Sequence, residues 1–318
     1  MSMRSMSTKN AACVRSEEIK IRIRDRKEKI GVVDSRGFTL IELLVVMSIT
    51  SILMAILVPA LGKVRRQARS IKGMNNQQQI TSALNLFASD NDERYPESVA
   101  TVGFDSTWVW SDPTKLIGNE SRTPTLHRAM SEYLRIYIRD ADAMYCPSAP
   151  HQYKYLQQAW DAGDDWDNPD TAPTTDPMGG TYCFYWNYRG FLTERNAVFR
   201  GPYGPASGGR FSKLLVTDYF GYDHWRTQGA YGSCEPFRGA GVTPETWLFS
   251  AYWSRTNPAE STPEFKLRAG YTDGHVETYS PSDVVPMRVS LSRDGTVPYA
   301  EGTGVGPGTF FLPTNALH

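Results

Sequence analysis

The sequence predicts an α+β fold, in which one long N-terminal helix crosses a membrane and then packs as an amphipathic helix against an antiparallel β-sheet. Residues 38–61 form an apolar run with a single formal charge. A helical apolar period follows this run. Further along, short aromatic and β-branched runs are bounded by Gly and Pro, which indicates strands joined by long loops.

The charge of the 318-residue chain is zero overall but unevenly distributed. Residues 1–37 hold ten Lys/Arg against five Asp/Glu, a net charge of +5. Residues 63–72, "KVRRQARSIK", add five basic residues and no acidic one, and are called the basic segment below. Because the rest of the chain is acidic, no nucleic-acid partner is expected from overall charge.

The apolar run is long enough to span a bilayer. Its 24 residues, Phe38 to Leu61, would extend about 36 Å as a helix. A secretory signal has a shorter apolar core and a small-residue cleavage site, and "LVPALGKVRR" offers no such site. A plain membrane anchor explains the hydrophobicity but leaves Glu42 unexplained, because a carboxylate at membrane depth is costly.

The stretch "RGFTLIELLVVMSITSILMAILVPAL" strongly resembles the N-terminus of type IV prepilins and type II secretion pseudopilins. The resemblance implies a basic leader, residues 1–37, that a prepilin peptidase removes by cutting between Gly37 and Phe38. The same enzyme would then methylate the new N-terminal residue, Phe38, and Glu42 matches the family's glutamate at the fifth mature position. The leader is long for that family, so the start methionine, Met1 or Met6, stays open.

The resemblance also gives Glu42 a purpose. Cleavage would create a cationic amine on Phe38 near the membrane, and the Glu42 carboxylate of a neighbouring subunit would neutralise it. Such a pair is stronger in a low dielectric than in water, and an unpaired charge there is the unfavourable state. The alternative is that Glu42, one turn inside the helix, reaches the headgroups and needs no partner.

Residues 38–62 are thus the predicted transmembrane helix, with a kink expected at Pro59 because proline removes a backbone hydrogen bond. Residues 63–92 are the predicted extension of this helix. Its apolar stripe comprises Ile80, Leu84 and Phe87, with Ile71 and Ala83 nearby, and polar residues are expected on the other face. The segment "SDNDERYP" supplies the stop signals.

Residues 93–318 form the predicted extracytoplasmic body. One helix is expected at about 123–140, and strands at 181–188, 212–220, 246–253 and 264–279. The last range contains the clearest hairpin, with Asp273 and Gly274 as its turn. The order of "CPS", "LLVTDYF" and "DGHVE" resembles the large C-terminal bodies of some prepilin-like proteins.

The body contains candidate residues for calcium binding and for catalysis. The acidic loop at 161–178 offers hard oxygen ligands for calcium at Asp161, Asp164, Asp165 and Asp167, although the spacing is not that of an EF-hand. A metal or hydrolytic constellation would have to draw on a small set of residues, none of which lies in a known catalytic motif. That set is Asp218, Asp223, His224, Asp273 and His275. A solvated loop and structural roles are the expectation, with no cofactor.

Four cysteines are present, with no C-x-x-C pair. Cys13 lies in the leader, and any disulfide would join two of Cys146, Cys183 and Cys234, with the pairing open.

The sequence therefore predicts a non-enzymatic structural subunit of a type IV pilus or a type II secretion pseudopilus. The expected partners are the prepilin peptidase/methyltransferase, other pilin-like subunits, an inner-membrane assembly platform and the lipid bilayer. By resemblance, the leader is cytoplasmic and the body is outside the inner membrane. Two rival functions stay open, a singly anchored binding protein for glycans or calcium and an anchored hydrolase.

Overall fold

The computed structural model describes nine stretches of the chain. They are residues 38–104, 108–118, 126–149, 155–167, 178–192, 195–219, 266–288, 290–292 and 309–317. The chain divides into two compact units, Met1–Ile56 and Leu57–His318. The described part of the first unit is helical from Leu40 onward and exposed throughout.

The predicted N-terminal helix is present as α1, Leu40–Asp90, a helix of 51 residues. Within the described residues it alone is long and apolar enough to cross a membrane, and its most apolar window has a mean hydropathy of 2.5 and no buried residue. An exposed apolar helix of this length is what a lipid environment requires. Pro59 lies inside α1, and the kink expected there stays a prediction.

Helix α1 ends in a turn of two non-glycine residues with left-handed backbone. Asp92 and Glu93 have φ angles of 52° and 57°. The Glu93 amide donates to the Ala88 carbonyl at 2.9 Å, and the Asn91 side chain donates to the Phe87 carbonyl at 2.8 Å. These bonds satisfy carbonyls that the helix end leaves open, so the predicted stop signals act through backbone capping.

Antiparallel strands make up most of the regular secondary structure in the rest of the described chain. In chain order they are β1 Thr101–Phe104, β2 Trp108–Ser111, β3 Lys115–Ile117, β4 Met178–Gly179, β5 Tyr182–Phe184, β6 Arg189–Leu192, β7 Ala197–Arg200, β8 Leu214–Asp218, β9 Leu267–Tyr271, β10 Val276–Tyr279, β11 Val284–Arg288, β12 Ser290–Ser292 and β13 Thr309–Pro313. They form sheets in the orders β10-β9-β8-β5, β13-β11-β6-β7, β1-β2-β12 and β3-β4. A long N-terminal helix followed by antiparallel sheets is a pilin-like α+β layout, as predicted.

The sheet β10-β9-β8-β5 has a different hydrophobic cluster on each face. On β5, Tyr182 and Phe184 join the cluster that contains α1 residues, whereas Cys183 joins the second cluster. On β9, Leu267 and Ala269 belong to the second cluster. This is the side-chain alternation expected of a strand packed on both faces.

Two glycines allow α1 to approach this sheet closely. A Cβ on Gly270 of β9 would lie 2.9 Å from the Thr81 methyl carbon of α1. A Cβ on Gly73 of α1 would lie 2.9 Å from the Arg268 guanidinium. At contacts this short, a larger residue at either position would have to displace the Thr81 side chain or the Arg268 guanidinium.

The predicted strands within the described residues are present, although shorter than expected. The hairpin has its strands at β9 and β10, and Asp273–Gly274 lies in its turn, with Gly274 at φ +86°. The Tyr271 amide donates to the His275 carbonyl at 3.1 Å across that turn. The strand expected at 246–253 lies outside the described residues.

The helix expected at about 123–140 is wrong in its extent, since over the described residues 126–140 the structure has only α2, Met130–Leu134. The backbone N–H groups before α2 bind carboxylates from elsewhere in the chain. Leu126 donates to Glu97 at 2.8 Å, and Ala129 donates to Asp164 at 2.8 Å. In a helix that began near residue 123, the Ala129 N–H would instead bond to the carbonyl four residues earlier. Ala129 also has an extended backbone (φ −95°, ψ 130°), so α2 begins only after it.

The region predicted as a loop at 161–178 is also partly helical. Helix α3, Leu156–Ala162, runs into a 3₁₀ helix at Gly163–Asp167. Trp160 and Trp166 anchor these elements in the α1 cluster. The range 161–178 holds six aspartates and four apolar residues, a composition that is typical of a loop.

The buried tyrosines of the second cluster predict an alkaline limit to stability. Burial raises the pKa of Tyr185 and Tyr188 well above the ordinary value of about 10. Their contribution to stability is complete below the unfolded pKa and is lost as the pH rises above it towards the folded pKa. Above the unfolded pKa, each of these tyrosines therefore lowers the free energy of unfolding by up to about 1.4 kcal/mol for each pH unit.

We expect Tyr188→Phe to make the fall in unfolding free energy above pH 10 less steep, by up to that amount. The measurement is urea unfolding of the detergent-solubilised chain at several pH values on either side of about 10. Tyr203→Phe is the matched control, because Tyr203 is 46% exposed. Equal slopes for the Tyr188→Phe and wild-type chains would contradict the prediction.

Candidate functional site: the N-terminal segment and the docked helix

The first turn of α1 explains how Glu42 is held within one subunit. The Glu42 carboxylate accepts hydrogen bonds from the Thr39 amide and the Thr39 hydroxyl, both at 2.9 Å. The Glu42 amide in turn donates to the Thr39 hydroxyl oxygen at 3.3 Å. This reciprocal arrangement is a capping box, and the pattern Thr-x-x-Glu in the sequence could have revealed it.

Phe38 and Glu42 are both exposed at this end of the helix. The predicted cut site therefore has its mature side at the start of α1, while Gly37 lies outside the described residues. The Glu42 carboxylate has one oxygen engaged by Thr39, and an ionised carboxylate offers about four acceptor sites. Capping within a subunit thus leaves capacity for a second, external donor.

The other polar side chains in the apolar part of α1 are satisfied by its own backbone. The hydroxyls of Ser48, Thr50 and Ser51 donate to carbonyls one turn earlier, at 2.7–3.0 Å. The hydroxyls of the apolar part of α1 therefore need no outside partner. Glu42 is the one charged side chain that this part of the helix presents to lipid or to a neighbouring helix.

Further along, α1 packs on the sheet through polar contacts, contrary to the prediction that polar residues occupy only its other face. Asn76 and Gln77 are buried there beside Ile80 and Leu84. Asn76 donates to the Tyr145 carbonyl at 3.0 Å. Gln77 donates to the Asp218 carboxylate at 2.9 Å.

The predicted apolar stripe is otherwise correct for Ile80, Ala83 and Leu84, which are buried, and for Phe87, which packs partly buried against the same cluster. Ile71 is the exception, because it is 52% exposed.

A buried ion pair lies where α1 packs against the sheet β10-β9-β8-β5. Arg268 of β9 and Asp218 of β8 are joined by Nε and Oδ2 at 2.5 Å, and both side chains are at most 2% exposed. The Arg268 guanidinium also donates to the Ser70 carbonyl of α1 at 3.0 Å. One residue of the hairpin therefore connects the sheet to the helix.

The same geometry separates the residues considered for hydrolysis. Asp218 is used in the ion pair at one end of the β8–β9 ladder. Asp273 follows the opposite end, beyond the pair Leu214↔Tyr271, and its carboxylate is 2.5 Å from His275 Nδ1 on an exposed turn. Hydrogen bonds from His275 outweigh partial burial and lower the Asp273 pKa. Asp223 and His224 lie outside the described residues.

Two of the four aspartates considered for calcium, Asp161 and Asp164, have partners within the chain. The Asp164 carboxylate accepts from the amides of Arg128 and Ala129 at 2.9 and 2.8 Å, and it is 2.7 Å from His127 Nδ1. Asp161 accepts from the Gln157 side chain at 2.9 Å. In the part of the chain that the structure describes, no three His, Cys, Asp or Glu side chains gather as a metal site. Calcium binding stays a prediction.

Two of the three downstream cysteines lie within the described residues. Cys146 and Cys183 are buried, and Cys146 Sγ is 3.8 Å from the Arg268 guanidinium. Cys234 lies outside the described residues, so the disulfide pairing stays open.

Comparison with protein families assigns the N-terminal segment. Residues 34–58 match the family model described as the prokaryotic N-terminal methylation motif. The chain therefore carries the prepilin-type motif, which is found in type IV pilin-like and pseudopilin-like proteins. Nothing among the curated proteins or the solved structures matched the chain. Because the match ends at residue 58, the likeness of the hairpin to prepilin-like bodies stays a prediction.

Proposed function

We propose that the protein is a structural, non-enzymatic subunit of a type IV pilus-like or type II secretion pseudopilus-like assembly. The single observation that carries this proposal is the methylation motif at residues 34–58, which joins Gly37, Phe38 and Glu42 to an exposed apolar helix. We further propose the division into leader 1–37, membrane helix 38–62, helix extension 63–92 and extracytoplasmic body 93–318.

The proposed mechanism uses charge neutralisation between subunits. After leader removal, the Phe38 amine of one subunit binds the Glu42 carboxylate of the next, while Thr39 keeps that carboxylate oriented. Glu42 is four positions after Phe38 in the sequence. A pair between the two residues therefore sets an axial offset of about 6 Å between neighbouring helices. The pair relieves the cost of two isolated charges in a low dielectric and so favours the polymer over the lone subunit.

The partners follow from this mechanism. A prepilin peptidase/methyltransferase would process the chain, and an inner-membrane platform would assemble it with other pilin-like subunits. The body would be displayed outside the inner membrane, as the family resemblance implies.

The direct test is intact-mass analysis of the chain produced with and without a prepilin peptidase. With the peptidase, we expect a polypeptide that begins at Phe38 and carries one additional methyl group on its N-terminal amine. Gly37→Val should keep the leader under the same conditions, and Gly62→Val, which has open space at that position, is the matched control. A wild-type chain that retains residues 1–37 beside an active peptidase would overturn the proposal.

A further inference from the structure

The basic segment, residues 63–72, is an exposed group of cations that has no acidic partner on its own helix. Its five basic residues are all exposed; they are Lys63, Arg65, Arg66, Arg69 and Lys72. From residue 43 to residue 89, α1 contains no Asp or Glu. Among the described residues, none of the five takes part in an ion pair.

A second copy of α1 cannot neutralise these charges. A neighbouring helix offset by only about four residues would bring its own basic segment alongside, with no carboxylate within several turns. Like charges on adjacent helices repel. An anionic partner must therefore come from outside the helices.

Four of the five basic residues also lie on one side of the helix. At 3.6 residues per turn, Arg65, Arg66, Arg69 and Lys72 fall within an arc of about 120°. The apolar side chains of the segment, Val64, Ala68 and Ile71, project from the remaining surface. The segment is thus amphipathic, with its charges gathered for a single extended anionic surface.

The position of the segment identifies that surface. The apolar run ends at Leu61, two residues before Lys63, and its length of about 36 Å exceeds the bilayer core of about 30 Å. The first basic side chains therefore emerge at headgroup depth, and the rest lie within the next 14 Å or so along the helix. Long basic side chains near the end of a membrane-spanning segment extend to the lipid phosphates.

We propose that the basic segment binds the phosphates of anionic phospholipids at the membrane face where α1 emerges. The ligand is a phosphodiester headgroup with net negative charge, held by charge rather than by a shaped pocket. Binding at this face retains lipid around the helix and compensates the cations that a neighbouring helix cannot compensate. The inference needs only the membrane span and holds whether or not subunits polymerise.

The test is lipid selectivity of the full chain reconstituted in vesicles of phosphatidylcholine and phosphatidylglycerol. Spin-labelled forms of the two lipids report how much of each is immobilised at the protein. We expect severalfold selectivity for phosphatidylglycerol, and a decrease in that selectivity as salt is raised. A variant with all five basic residues changed to Gln should lose most of the selectivity.

The matched control changes five exposed basic residues of the body to Gln. They are Arg139, Arg189, Arg195, Arg210 and Lys213. This control should keep wild-type selectivity, and so should the charge-conserving change of Arg65, Arg66 and Arg69 to Lys. Carbonate extraction verifies that every variant is inserted.

Three results would overturn the proposal. The first is unchanged selectivity in the Gln variant, which would assign the lipid contact to the leader. The second is selectivity that does not respond to salt. The third is equal immobilisation of both lipids together with copy-to-copy cross-links that require the basic segment, which would assign the cations to the acidic body of a second copy.

Discussion

Replacing Arg268 with methionine is expected to lower the free energy of unfolding by about 3–5 kcal/mol. The change leaves the Asp218 carboxylate buried, where the Gln77 side chain and the backbone amide of residue 268 still donate to it. It also removes the hydrogen bond to the Ser70 carbonyl, which connects the hairpin to α1. A buried charge that loses its partner is the costly case.

Chemical unfolding of the detergent-solubilised chain, followed by tryptophan fluorescence, measures this loss. The fluorescence reports on the body, because Trp160, Trp166 and Trp186 are buried in the cluster that contacts α1. Arg135→Met is the matched control. Arg135 pairs with Glu132 at 3.6 Å while 48% exposed, so its removal should cost no more than about 1 kcal/mol.

A double variant separates the ion pair from simple loss of packing. Asp218→Asn keeps an oxygen for Gln77 but removes the charge that Arg268 neutralises. We expect the combination with Arg268→Met to be less destabilised than the sum of the two single changes. Strict additivity, or an Arg268→Met effect no larger than that of Arg135→Met, would show that the pair does not hold the helix on the sheet.

The long helix and the hairpin could be predicted because their signals are local. A largely apolar run of 24 residues with one charge indicates a membrane helix without any knowledge of the rest of the chain. Asp273–Gly274 between alternating residues likewise indicates a hairpin from a short window. In both cases the residues that fix the element lie within the element.

The packing of α1 against the sheet could not be predicted, because the polar residues at this contact are hydrogen-bonded to partners far along the chain. Gln77 binds Asp218, 141 residues later, and Arg268 binds Ser70, 198 residues earlier. A periodicity reading places such residues in solvent, since it counts hydrophobicity and not partners. Burial of a polar side chain becomes favourable only once its partner is in place.

The failed helix prediction at 123–140 has the same origin. The apolar spacing is helical, but Asp164 accepts from the backbone N–H groups of Arg128 and Ala129, which a helix begun near residue 123 would direct to carbonyls four residues earlier. Asp164, one of the four aspartates named as calcium candidates, holds this chain segment in place. A single sequence does not show which of these two uses a carboxylate has, because both require only exposed oxygen atoms.

Replacing Glu42 with glutamine is expected to weaken association between processed subunits by about 1–3 kcal/mol per contact, or roughly 5- to 150-fold in the association constant. Glutamine is suited to the capping box, so the first turn of α1 should be preserved and insertion should be unchanged. Only the charge that faces a neighbour's Phe38 amine is removed. Energy transfer between donor- and acceptor-labelled copies in vesicles measures the association.

Two matched variants isolate the charge from the cap. Thr39→Ala removes the partner of Glu42 within the subunit but keeps the carboxylate, so association should stay within about twofold of wild type. The unprocessed chain still has Glu42 but no amine on Phe38. In that chain Glu42→Gln should have no effect on association. An equal effect of Glu42→Gln before and after leader removal would mean that the carboxylate acts on something other than the new N-terminus.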